Sequence, residues 1–123
     1  MVEVMPYGQT TGEAELASSV ARGARAFAEF GADFIKAQYS GSPGTFRQVL
    51  EATYVPVVIL GGPRASSDLD LLTMTHDALS VGAAGVAFGR NVWQHSTPTK
   101  LVRALRAVIH ERARPEQAVK LLK

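Results

Sequence analysis

Four short apolar runs, each followed by an amphipathic stretch of helix length, predict an α/β chain built on a parallel sheet. Two further observations agree. Glycines stand where the third and fourth runs give way to helices, and no two-residue turn joins neighbouring runs as a hairpin would. Strand, helix and strand in strict alternation require right-handed crossovers, so the four strands should all run the same way.

The first run is Val2-Glu3-Val4-Met5, stopped by Pro6-Tyr7-Gly8. Thr11 or Gly12 precedes a helix whose expected inner face is Leu16, Val20, Ala24 and Phe27, with Glu13 and Glu15 at the positive end of its dipole. Gly31 should close that helix. The second run is Phe34-Ile35-Lys36-Ala37, and Ser40-Gly41-Ser42-Pro43 then turns the chain into a helix with Phe46, Val49 and Leu50 inward. Residues 55–60, Val-Pro-Val-Val-Ile-Leu, form a continuous β-branched run of the kind found in strands covered on both faces. Gly61-Gly62-Pro63 ends it. Ser66 or Ser67 is expected to cap a third helix with Leu69, Leu72 and Leu79 inward. Residues 83–88 make the fourth strand, ending at Gly89-Arg90-Asn91, and a last helix presents Leu101, Leu105, Val108 and Ile109. The stretch 113–123 reads as a polar, basic tail, with Pro115 setting off a short helix, so the folded unit is expected over 1–112.

Composition narrows the class. At 123 residues, with 46% hydrophobic and 20% charged, the chain has one ordinary globular core to bury. A net charge of +2 and a pI near 9.2 come from dispersed basic residues, and Arg103, Arg106, Arg112 and Arg114 are interleaved with Glu111 and Glu116. That spacing argues for a solvated face, so no nucleic-acid partner is expected. Without cysteine there is neither a disulfide framework nor a thiolate site, and His76, His95 and His110 are too scattered for a metal. No run reaches the roughly 18 apolar residues of a spanning helix, so no membrane partner is expected and a cytoplasmic location is the default.

Lys36 stands out. A lysine in mid-strand is costly to bury as an ammonium, and burial favours a neutral amine able to attack a carbonyl. The other reading is a lysine with a buried stem whose head reaches water or a carboxylate. Strand parity puts Phe34, Lys36 and Gln38 on one face and Ile35 and Ala37 on the other. Polar and glycine residues gather at the strand ends: Tyr7-Gly8, Lys36 to Tyr39, Gly61-Gly62 and Gly89-Arg90. That is the face on which α/β folds bind ligands. Glycine loops after two consecutive strands suit a phosphate, because a bare backbone can approach an anion closely. Tight turns would also use these glycines, and Arg90 would also serve as a solvated or ion-paired residue. Two architectures remain open. Length favours a small open sheet, whereas the placement of polar residues favours part of a (β/α)₈ barrel, which needs about 250 residues when complete.

Gly-Ala-Asp-Phe-Ile-Lys-Ala-Gln-Tyr-Ser-Gly (31–41), Pro-Val-Val-Ile-Leu-Gly-Gly-Pro-Arg (56–64) and Gly-Ala-Ala-Gly-Val-Ala-Phe-Gly-Arg-Asn-Val-Trp-Gln-His (82–95) resemble the archaeal-type class I fructose-bisphosphate aldolases. These belong to a wider group of Schiff-base aldolases that includes deoxyribose-phosphate aldolase. The resemblance runs over about residues 1–112. It implies strands five to eight of a (β/α)₈ barrel, with Lys36 forming an imine with a ketose phosphate. It also implies that Gly61, Gly62, Gly89 and Arg90 hold the phosphate, and that neither cofactor nor metal is used. Two departures stand against the family pattern. Met5-Pro6-Tyr7-Gly8 places Met where the family often has a proton-transferring tyrosine, leaving Tyr7 as the candidate for that role. The first four β/α units, with the family's acidic catalytic residue, have no counterpart, so the sequence reads as a fragment or shortened frame. A homo-oligomer that closes the barrel is expected. A phosphate-binding half-barrel without catalysis, or a transaldol synthase or thiolase of the same family, is the alternative.

Overall fold

The computed structural model describes residues 1–6 and 12–123. Its elements follow the expected alternation. They are β1 (Val2–Val4), α1 (Glu13–Glu29), β2 (Ile35–Ala37), α2 (Pro43–Glu51), β3 (Val57–Leu60), α3 (Asp68–Ser80) and β4 (Gly85–Ala87). The chain continues through α4 (Arg90–Trp93), α5 (Pro98–Glu111), α6 (Pro115–Ala118) and a 3₁₀ turn, Val119–Leu122. All three strand pairs are parallel and the order is β1-β2-β3-β4. A doubly wound sheet reverses its strand order near the middle; an unbroken sequential order, with every crossover right-handed, puts the helices on one face. This is an arc of a (β/α)₈ barrel, about four units long, and not a small open sheet.

Helices α2 and α3 start on serine caps, and α1 ends on a glycine. Ser42 accepts the Thr45 N–H at 3.5 Å, with Pro43 in the first helical turn of α2. Of the two serines before α3 it is Ser67 that caps, accepting the Asp70 N–H at 3.1 Å. Gly31 takes φ +92 just past α1, a conformation open mainly to glycine.

The core has two parts. Val4, Ile35, Ala37, Val57 and Ile59 point from the sheet onto Ala17, Val20, Ala24, Phe46 and Val49 of α1 and α2. Phe46 is fully buried, which contributes roughly 1.5–3 kcal/mol. Leu71 and Leu72 of α3 pack with Leu101, Ala104, Leu105 and Val108 of α5 and with Ala118 of α6. The stretch 113–123 is therefore folded onto the barrel's helical layer: Pro115 and Ala118 are buried although their neighbours are polar.

Several expected placements differ. Leu71, not Leu69, faces inward on α3; Leu69 lies in the first turn, short of the surface that α5 and α6 cover, and is 39% exposed. Phe27 is half exposed because small alanines, Ala17, Ala24 and Ala28, form the inner stripe of α1. Trp93 is 67% exposed, although a large aromatic is ordinarily core, and the short helix α4 that carries it has no hydrophobic period to announce it.

Candidate active site

Parallel pairing aligns one row across the sheet: Glu3 with Lys36, Lys36 with Val58, and Val58 with Gly85. Ile35 and Ala37 are buried against the helices, so Lys36 projects from the opposite, inner face of the arc, as its parity requires. There its Nζ lies 3.1 Å from Glu3 Oε2. The Lys36 side chain keeps 21% of its surface and that of Glu3 42%. The full desolvation expected of a mid-strand lysine is thus not what this chain provides. The stem is covered and the head pairs with a carboxylate, the second of the two readings of this residue. Glu3 went unselected in the sequence, although its position between two valines in the β1 alternation marks it as inward-facing.

Lys36 stands in a concavity of about 220 Å³ whose lining includes Glu3, Gly61, Gly62, Gly89, Arg90 and Trp93. Five of the six residues singled out in the sequence meet there. The sixth, Tyr7, lies outside the described residues; Met5, two positions earlier in the sequence, lines the concavity.

The glycines differ in what holds them. A Cβ on Gly61 would fall 2.8 Å from Asn91 Nδ2 and 3.1 Å from Phe88 Cδ1, so this glycine is required by close packing. Gly62 has φ +59 and nothing nearer than Leu60 Cδ1 at 3.8 Å, leaving open space in front of it. Gly89 is covered by the Trp93 indole, whose nearest atom would lie 2.7 Å from a Cβ. The Arg90 side chain is exposed and, among the described residues, makes neither an ion pair nor a hydrogen bond.

A wider recess of about 440 Å³ adjoins the first through Leu60, Gly61 and Gly62 and extends to Gln38, Tyr39 and Arg64. The Tyr39 hydroxyl is buried and has no hydrogen-bond partner among the described residues, and its ring tilts against Phe46 at 5.2 Å. Burial, with the carboxylates of Asp77 and Glu13 adding to it, pushes its pKa up to about 12. His95 is a structural residue: its Nδ1 accepts the Thr97 N–H at 3.0 Å, so Nε2 carries the proton and donates to Asp68 at 3.0 Å. A third recess, about 480 Å³ between α3 and α5 beside His76 and Arg112, opens at the far end of these helices, away from the strand termini that hold Lys36. Among the described residues, no cluster of His, Asp or Glu is arranged to hold a metal, and no helix is long and apolar enough to cross a membrane.

Known proteins resemble this chain in sequence and fold. The profile described as DeoC/LacD family aldolase matches residues 1–95. The 2-amino-3,7-dideoxy-D-threo-hept-6-ulosonate synthase of Halobacterium salinarum is 43% identical over 119 residues, covering 96% of this chain and 44% of that protein. Fructose-bisphosphate aldolase class 1 of Thermoproteus tenax is 41% identical over 92 residues, 74% of this chain and 35% of its own length. Among solved structures, a Schiff-base-forming fructose-1,6-bisphosphate aldolase superposes with a TM-score of 0.80 at 38% identity, over 89% of this chain and 44% of that one. The chain thus spans less than half the length of these relatives. Profile, sequence and backbone agree over the strands and loops that build the concavity, and the chain belongs to the DeoC/LacD family of aldolases.

Proposed function

We propose that this chain carries the lysine and phosphate half of a class I aldolase, a cytoplasmic lyase acting on a phosphorylated sugar of the fructose-bisphosphate type. The observation that carries the reading is the meeting of Lys36, Glu3, Gly61, Gly62, Gly89 and Arg90 in one concavity at the C-terminal ends of parallel strands. Glu3 Oε2, at 3.1 Å, accepts a proton from the Lys36 ammonium and leaves the amine free to attack the ketose carbonyl. The protonated Glu3 then returns that proton to the carbinolamine hydroxyl, which departs as water. The resulting iminium takes up the electron pair of the breaking carbon–carbon bond, so the carbon skeleton divides without a metal or cofactor. Tyr7 is the candidate for the remaining proton transfer. Arg90 and the backbone at Gly61, Gly62 and Gly89 hold the phosphate, which fixes the carbonyl over the amine and replaces a chance encounter by an oriented one.

A synthase of the transaldol type is a second reading, favoured by the Halobacterium relative, whose similarity extends over 96% of this chain. A binding half-barrel without catalysis is the third. Borohydride reduction in the presence of fructose 1,6-bisphosphate tests the first reading against the third. A covalent adduct in the intact mass supports the imine; reversible binding with no adduct supports the binding module. Trapping with other ketose phosphates and not with fructose 1,6-bisphosphate supports the synthase.

A further inference from the structure

We infer that Asn91 is the positioning residue of the anion site, holding the 61–65 loop so that the Gly62 and Arg64 N–H groups together face the bound phosphate. The inference rests on the phosphate reading given above.

Asn91 is one of three buried polar residues among those described, with Ser40 and Thr75. The other two bond within their own segments, Ser40 to Thr45 and Thr75 to the Leu71 carbonyl. Asn91 instead joins two loops far apart in sequence. Its Nδ2 donates to the Gly61 carbonyl at 2.8 Å and to the Pro63 carbonyl at 3.3 Å, while its Oδ1 accepts the Ala65 N–H at 2.9 Å. Only a primary amide supplies two donors and an acceptor in so small a side chain.

The consequence follows from peptide geometry. Every peptide bond described is trans, so each C=O points opposite to the N–H of the next residue. With the Gly61 and Pro63 carbonyls drawn to Asn91, the N–H groups of Gly62 and Arg64 are turned away from it. Neither N–H has an acceptor among the described residues. Gly62 lines both strand-end recesses and Arg64 the wider one, whereas Asn91 lines neither, so the two donors lie on the open side of the loop. Two unpaired N–H groups, one beside an arginine and one on a residue without a side chain, are what an oxyanion needs from a loop.

The test is amide NMR on the ¹⁵N-labelled full chain titrated with inorganic phosphate. The largest downfield proton shifts are expected at Gly62 and Arg64. Asn91→Ala and Asn91→Asp should each raise the phosphate Kd by about tenfold or more, as expected for a lost charge-assisted hydrogen bond. Val108→Ala, a core truncation remote from the loop, should leave it unchanged. If Asn91→Ala does not fold, Asn91→Asp, which keeps the shape and the acceptor but has no donor, and the wild-type shifts still decide. A folded Asn91 variant with the wild-type Kd overturns the inference, as do wild-type shifts centred on other residues; both leave the phosphate reading standing. No phosphate binding by the wild-type chain overturns that reading and this inference together.

Discussion

Gly61→Ala tests how tightly the two loops beneath the concavity are joined. The new methyl would lie 2.8 Å from Asn91 Nδ2, and Asn91 is only 6% exposed, so its amide must withdraw from the Gly61 and Pro63 carbonyls. Two hydrogen bonds at about 1 kcal/mol each are lost. Pressure on Phe88, whose Cδ1 would be 3.1 Å away, adds about 1 kcal/mol, and the stiffer unfolded chain returns about 0.5 kcal/mol. The expected loss is about 2–3 kcal/mol by urea denaturation with an unchanged m-value. In an Asn91→Ala background the obstructing atom and its bonds are already gone. There Gly61→Ala should cost about 1 kcal/mol or less, giving a coupling of about 1–2 kcal/mol across the cycle. Additivity within about 0.5 kcal/mol would show that Asn91 is not what makes Gly61 a glycine.

Lys36→Met is expected to abolish borohydride trapping while retaining phosphate binding, because the anion loops belong to other strands; loss of both in a folded variant would contradict this division. Glu3→Gln should slow trapping by about 10²-fold, as for removal of a general acid–base, yet change stability by less than about 1 kcal/mol because the pair is partly exposed; an unchanged trapping rate would remove Glu3 from the chemistry. The Tyr39 phenol has a folded pKa raised to about 12 from an ordinary 10, so stability should be full below pH 10 and fall as the pH rises toward 12. Tyr39→Phe should flatten that fall in urea melts, and an unaltered pH profile would place the effect elsewhere. Met5, Phe34 and Trp93 are exposed at 61%, 36% and 67%, and β1 and β4 each pair on one side only. Sedimentation equilibrium at low micromolar concentration should therefore find a homodimer or larger assembly; a monodisperse monomer would contradict it.

Much of the frame was legible because it follows from period and punctuation. The β-branched run before Gly61-Gly62 can only be a covered strand, and the parity of Phe34-Ile35-Lys36-Ala37 fixes which face Lys36 takes. Sequential strand order was not legible from alternation alone, which suits an open sheet as well as a barrel arc; the three motifs that resemble a barrel family carried it. What escaped detection depends on contacts between distant segments. Glu3 matters because register sets it beside Lys36, 33 residues away. Asn91 looked like a residue after a turn, and its function in the fold appears only when the 61–65 loop is brought against it. Nothing in the sequence marks Trp93 as a surface residue; its indole lies over Gly89 and borders the concavity. The polar stretch 113–123 is held by buried Pro115 and Ala118, with Ala113, Val119 and Leu122 partly buried against the same cluster, a spacing too irregular to register as a period.

The imine itself is the most direct test. The chain has four lysines, Lys36, Lys100, Lys120 and Lys123, and Lys100 is bound to the carbonyls of Leu122 and Lys123. Peptide mapping after borohydride reduction with fructose 1,6-bisphosphate should find one adduct, on Lys36 alone, and none in Lys36→Met. An adduct spread over the other lysines, or confined to one of them, would contradict the assignment of Lys36 as the Schiff-base residue.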